Sequence, residues 1–337
     1  MDDSGTPTRP PLSVLDLATV AEGSTSADAV AETTTLARRA DELGYRRFWV
    51  AEHHNMATVA STAPPVLIAH LAAVTSRIRV GSGGVMLPNH APLVVAEQFA
   101  LLEALHPGRI DLGIGRAPGT DLHTAAALRR SPDSLGAEDF PRHLIDVMGL
   151  LGDARTEEGL WDRFVATPLA TSSPEVVLLG SSDFSAQLAG ILGLPFAFAH
   201  HFDMGGTLEA VDIYRRSFQP SPVLDEPHTI VSATVLAAAT EEQADRLAGP
   251  SLLRRYGMRT GRLLPLIAPE AAERHPDMAA ARAMATRTIT GTATQVVAGL
   301  EALVGATRAD ELMLFTPTYA LEERLYSLEA IADAWAR

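Results

Sequence analysis

Short apolar runs rich in β-branched and aromatic residues alternate along the chain with longer stretches in which apolar residues recur every three or four positions. Residues 12–16 predict a first strand. Residues 26–44 predict a helix, because Ala29, Val30, Thr33, Leu36, Ala37 and Ala40 fall on one face and Gly44 supplies the stop. Residues 46–51 (RRFWVA) predict a second strand, 63–75 a helix, 78–82 a third strand, 92–105 a helix and 110–114 a fourth strand. Further strands are expected at 175–179, 196–199, 230–237 and 311–315, with helices after Ser182, Gly205, Thr240 or Gly291, and Tyr319. Eight strands alternating with helices predict an α/β fold, a (β/α)8 TIM barrel, with a doubly wound sheet as the alternative.

Two stretches break the rhythm, residues 116–174 and 249–291. They predict insertions after strands 4 and 7, on the side where a barrel places its active site, as lids or substrate pockets. No internal repeat is present. The opening segment, residues 1–11, is acidic and proline-rich and predicts a disordered tail; residues 12–337 predict a single domain.

Composition narrows the chemistry. Across 337 residues, 41 acidic against 27 basic side chains give a net charge of −14, which disfavours nucleic acid and anionic membrane surfaces as partners. With no cysteine, thiolate metal sites, iron–sulfur clusters and cysteine nucleophiles are excluded. The basic residues are all arginine, so Schiff-base chemistry and a P-loop lysine are excluded too. No apolar leader or spanning segment is visible, and a cytoplasmic location is expected.

Several residues at predicted strand ends carry candidate chemistry. Glu52, His53 and His54 follow the second strand; a histidine there suits a general base, with the neighbouring carboxylate fixing its tautomer. A capping or solvent-exposed pair is the alternative. A metal site is not supported, because no HxH or HExxH accompanies them. Gly81, Gly83 and Gly84 follow the third strand and suit either close approach to a flat ligand or a tight turn, with Asn89 and His90 nearby. After the fourth strand, Gly113, Gly115 and Gly119 miss the dinucleotide spacing because Pro118 stands where the third glycine belongs. Arg116 suits a bidentate phosphate contact or a surface ion pair. Gly180, Ser181 and Ser182 open a helix as either an anion site or a plain N-cap. His200 and His201 are read as pocket lining only, and His106 lies on the opposite, stability face. No Gly-x-Ser-x-Gly elbow supports a serine hydrolase.

Taken in order, RRFWVAEHHN, RIRVGSGGVMLPNHAPLVVAEQFALLEALHPGRIDLGIGRAPGTD and LLGSSDFSAQLAGILGLPFAFA resemble the bacterial-luciferase-like flavin monooxygenase superfamily over nearly the whole chain. The resemblance implies a barrel that binds reduced FMN at its mouth, as a homodimer. It implies that His53 is the catalytic base, with Glu52 beside it. Gly83 and Gly84 are then the pair joined by a cis peptide beneath the isoalloxazine ring. Arg116, Gly180, Ser181, Ser182 and Ser185 fall on the phosphate side. Gly115 and Ser181 stand where the bioluminescent members have cysteine and glutamate, so light emission and an aldehyde substrate are not implied. The subgroup that tailors natural products is the nearest match and implies polycyclic or polyketide substrates.

The function so implied is a two-component monooxygenase. A separate flavin reductase supplies reduced FMN, dioxygen adds to give a flavin hydroperoxide, and one oxygen atom enters a small organic molecule. The alternatives are a deazaflavin-dependent oxidoreductase of the same fold that transfers hydride, a non-catalytic flavin-binding protein, and, last, a metal-dependent barrel hydrolase.

Overall fold

The computed structural model describes residues 9–117, 120–129, 138–202, 204–284 and 286–337. The strands are β1 (Leu12–Asp16), β2 (Arg47–Val50), β3 (Arg79–Ser82), β4 (Val85–Met86), β5 (Ile110–Gly115), β6 (Glu175–Gly180), β7 (Phe196–Phe198), β8 (Thr229–Ala237), β9 (Ile289–Gly291) and β10 (Glu311–Phe315). Neighbouring strands are parallel, in the order β1-β2-β3-β5-β6-β7-β8-β10, and β10 pairs back onto β1, which closes an eight-stranded barrel. β4 and β9 are short additions on β5 and β8. The predicted (β/α)8 barrel is the fold observed; the doubly wound sheet is not.

Local sequence explains the first helix, Ser26–Leu43. Thr25 and Asp28 form a capping box, and Gly44 ends it at φ 82°, a conformation that costs glycine little. Leu36, Ala37 and Ala40 of this helix join the large apolar layer between barrel and helices, together with Phe48, Ile68, Phe99 and Leu112.

Because strand side chains alternate, the opposite set fills the barrel in tiers. At the lower end Arg47 lies fully buried, 3.0 Å from Asp111, 3.0 Å from Glu175 and 3.1 Å from Glu311. Arg79 adds a second cation on Asp111 at 2.7 Å, and the Ser13 hydroxyl donates to Glu311 at 2.5 Å. Two residues further along their strands, Leu15, Trp49, Val177 and Met313 join Ala197 and Ile230 in an apolar tier. The cavity described below begins on top of it.

Three expectations are corrected. Gly249 does not begin an insertion, because the helix Glu241–Arg259 runs through it and carries Pro250 inside. Residues 116–174 are not wholly an insertion either: the helix Phe140–Leu150 buries Phe140, Leu144, Val147 and Met148 and packs on the helix Pro92–Leu105 as a regular barrel helix. Of the expected tail, residues 1–8 lie outside the described residues, as do Pro118 and Gly119. Residues 9–11 are held, because Arg9 pairs with Glu301 at 2.7 Å and the Pro10 carbonyl accepts from Trp335 Nε1 at 2.9 Å.

The tier of charges yields a stability prediction. Arg47→Met leaves the buried Asp111 and Glu311 and the half-buried Glu175 without their central cation and lowers unfolding free energy by about 3–5 kcal/mol, read from urea denaturation near neutral pH. A loss below about 1 kcal/mol would place this cluster in the class of weak surface pairs.

Candidate active site

The cavity at the strand C-termini is lined by Leu15, Leu17, Trp49, Ala51, Leu179, Phe198 and Ile230 on its apolar sides, and encloses about 1110 Å³ of space that opens to solvent. His53, Gly83, Gly84, Arg116, Gly180, Ser181, Ser182 and Ser185 all line it. Eight residues named from three separated motifs therefore meet in one place.

The glycine wall arises from an interruption in pairing. β3 pairs with β5 through Gly81 and Asp111, and pairing resumes only at Val85 and Ile114. Between these points the Gly83–Gly84 peptide is cis, as the resemblance implies. A Cβ on Gly113 would lie 2.0 Å from the Ser82 carbonyl oxygen, so the close strand approach that builds this wall requires glycine there.

At another side of the cavity, β6 ends in Gly180 and the helix Asp183–Ile191 begins. Ser182 is its N-cap, yet its side chain makes no capping hydrogen bond. A Cβ on Gly180 would lie 2.4 Å from Ser185 Cβ, so the missing side chain admits Ser185 to the lining. The Arg116 guanidinium stacks 4.4 Å from the ring centroid of Phe184, the second residue of this helix. That contact holds a guanidinium at the N-terminal turn, where backbone N–H groups and the helix dipole favour an anion. Among the described residues Arg116 has no carboxylate partner.

Glu52 is placed differently from the expectation. It is fully buried, does not line the cavity, and is hydrogen-bonded to His54, His90 and Met86. His54 and His90 set their Nε2 atoms 2.8 and 2.9 Å from Glu52 Oε1, and the Met86 N–H donates to Oε2 at 3.0 Å. Burial alone would push the Glu52 pKa up, but the donors from His90, His54 and Met86 hold it below its ordinary value. An ionised carboxylate only accepts, so both Nε2 atoms carry protons. The side-chain donors of Glu52, His54 and His90 lie within 4.8 Å of one another, a juxtaposition that motif spacing did not reveal. Adjacent residues diverge here, so His53 takes the cavity while Glu52 and His54 turn behind it.

The second histidine pair divides in the same way. His200 Nδ1 lies 2.7 Å from the Thr207 hydroxyl, whereas His201 lines the cavity. The Ser232 hydroxyl donates to the Phe198 carbonyl at 3.1 Å and therefore accepts from His201 Nδ1 at 2.6 Å. Nε2 of neutral His201 is then left as an acceptor. Burial, with the neighbouring His200 and His53, pushes its pKa down to about 4. Sequence reading gave His201 no more than a lining role, and Phe184 and Ser232 carried no motif signal.

A luciferase-like monooxygenase model matches residues 11–310, and the chain belongs to the luciferase-like monooxygenase family. It is 40% identical over 325 residues to a luciferase-like monooxygenase of Escherichia coli (strain K12), covering 95% of this chain and 96% of that protein. It is 35% identical to the N-acetyl-S-alkylcysteine monooxygenase of Bacillus subtilis (strain 168), covering 96% and 97%. The crystal structure of apo-MsnO8 superposes with a TM-score of 0.89 at 38% identity, covering 97% of this chain and 99% of that one. Among the described residues no helix is long and apolar enough to cross a membrane.

His201 generates a pH prediction. Between about 4 and the ordinary 6.5 the unfolded chain binds a proton that the folded His201 refuses, so its contribution to stability is complete above 6.5 and declines as pH falls towards 4. His201→Asn is expected to flatten that limb, compared by urea midpoints at about pH 7 and about pH 5. Identical pH slopes in the two proteins would remove His201 from this role.

Proposed function

We propose that the cavity binds reduced FMN and that the protein is the oxygenase component of a two-component monooxygenase acting on a small organic substrate. The observation that carries this reading is the Arg116 guanidinium stacked on Phe184 at a serine-bearing helix start, on the same cavity as the Gly83–Gly84 wall and His53.

The residues fit such a group. An arginine without a carboxylate partner among the described residues, with three serines and free N–H groups, suits a phosphate monoester. A wall without side chains suits a flat ring, and Leu15, Leu17, Trp49 and Leu179 give that ring an apolar surround. When bound, reduced FMN supplies the two electrons with which dioxygen is reduced, one atom going to the substrate and the other to water. Arg116, Ser181, Ser182 and Ser185 hold the phosphate, and Gly180 leaves them room. Leu15, Leu17, Ala51 and Phe198 exclude water. His53 gives or takes the proton that the reacting substrate exchanges, and Glu52 positions the layer behind it through His54 and His90.

A separate flavin reductase is part of this reading, since the chain lacks a nicotinamide fingerprint, and so are a homodimer and a cytoplasmic location. Two proteins with this barrel, 18% and 15% identical, are described as an FMN complex and as a coenzyme F420-dependent reductase. The test must therefore include both cofactors.

Calorimetric titration with FMN and with the deazaflavin is expected to give binding of FMN. Arg116→Ala should weaken it by roughly 1.5–3 kcal/mol, the worth of a charge-assisted hydrogen bond. FMN affinity unchanged in that variant, or preference for the deazaflavin, overturns the reading. His53→Ala is expected to keep FMN affinity while product formation is lost and oxygen consumption becomes uncoupled. Full turnover in that variant would remove His53 from the chemistry.

A further inference from the structure

Arg254 is set apart by what surrounds it. It belongs to the helix Glu241–Arg259 and is largely buried. Its two terminal nitrogens lie 3.4 Å from the Thr19 hydroxyl and 3.5 Å from the Thr58 hydroxyl, both weak contacts, and among the described residues it has no carboxylate or carbonyl acceptor.

Other sheltered arginines are compensated. Arg47 has three carboxylates, Arg324 has Asp16 and Glu32, Arg155 has Asp153, and Arg109 is surrounded by backbone carbonyls. In a chain with 41 acidic residues, a sheltered guanidinium without one is a deliberate expense. Burial lowers the Arg254 pKa and nothing nearby raises it again. Among the described residues Arg116 likewise has no carboxylate partner, and the reading above assigns it to an anion.

The position of Arg254 links it to the cavity. Thr19 and Thr58 stand on the loops after β1 and β2, which are stitched together by Val20 N–H to Thr58 O at 2.9 Å and Ala60 N–H to Ala18 O at 2.9 Å. Leu17, two residues before Thr19, lines the cavity. The second loop is tied to His53 itself, whose N–H donates to the Ser61 carbonyl at 3.1 Å. The helix bearing Arg254 therefore meets the two loops that also carry Leu17 and anchor His53.

We propose that Arg254, with the Thr19 and Thr58 hydroxyls, is the recognition site for a carboxylate carried by the organic substrate. A planar guanidinium whose terminal nitrogens make only these two long contacts suits bidentate contact with a planar carboxylate, and the hydroxyls add a donor on either flank. The substrate is then an organic acid with an apolar body, its charge anchored at Arg254 and its reacting atom beside His53. This rests on the cavity being a substrate site, as proposed above, but not on which flavin it takes.

The test uses octanoate and 4-phenylbutanoate against their neutral amides, titrated calorimetrically into full-length protein with and without FMN. The acids are expected to bind at least about tenfold more tightly than the amides, and Arg254→Gln to erase the difference while FMN affinity stays unchanged. Arg254→Met, which removes an uncompensated charge, is expected to raise the Tm of the ligand-free protein and to lose the Tm increment that octanoate gives the native chain. Equal affinity for acid and amide in the native protein, a preference that survives Arg254→Gln, or a Tm lowered by Arg254→Met would each overturn the proposal. Failure of FMN to bind in the same titrations would overturn the flavin reading and leave the acid–amide comparison to stand by itself.

Discussion

Arg47 inside the barrel, held between Asp111, Glu175 and Glu311, is the contact on which the rest of the architecture stands. A closed parallel barrel must send every second side chain of each strand inward, so its interior has to be filled tier by tier. Here the lowest tier is ionic and the next is apolar, centred on Trp49, whose Nε1 donates to Asp111 at 2.9 Å. That single hydrogen bond joins the two tiers. Above them Gly83, Ala51 and Ala199 are small, and the space they leave, bounded by Leu17 and Leu179, forms part of the cavity. The floor of the site is thus set by charges at the other end of the barrel.

Histidine placement follows from the same geometry. At the ends of β2 and β7 two adjacent histidines leave the strand, and in each pair one faces the cavity while its neighbour is tied back, His54 to Glu52 and His200 to Thr207. The tied partners are hydrogen-bonded structure. His53 and His201 face a common space, and burial, with His200 and His53 nearby, lowers the tendency of His201 to carry charge. Glu52, which sequence proximity paired with His53, serves the tied side instead.

The electrostatic economy of the molecule points the same way. A chain with a net charge of −14 has acidic groups to spare, and its structural arginines are matched to them or to backbone carbonyls. Arg116 and Arg254 break that pattern at the mouth of the barrel, and each stands beside hydroxyl-bearing residues. Uncompensated cations beside hydroxyls are poor for stability and well suited to anions arriving from outside.

By itself the sequence determined the barrel and the roster of its mouth. Period-two strands, period-three-to-four helices and capping pairs such as Thr25 with Asp28 are local properties, and the motifs at strand ends inherit their position from them. Gly83, Gly84, Arg116, Ser182 and His53 were legible for that reason. The partners of Glu52 were not foreseen, His201 was given only a lining role, and Arg47, Phe184 and Arg254 were given no part, because their meaning lies in partners 31 to 264 residues away, such as His201 with Ser232 and Arg47 with Glu311. Only closure of the barrel brings such groups within hydrogen-bonding distance and removes water from between them. The start of the second expected insertion was misplaced for a related reason: the helix Glu241–Arg259 runs on through Gly249 and Pro250, and the packing of Leu253 with Ala272, Met278 and Ala281 is supplied only by the folded chain.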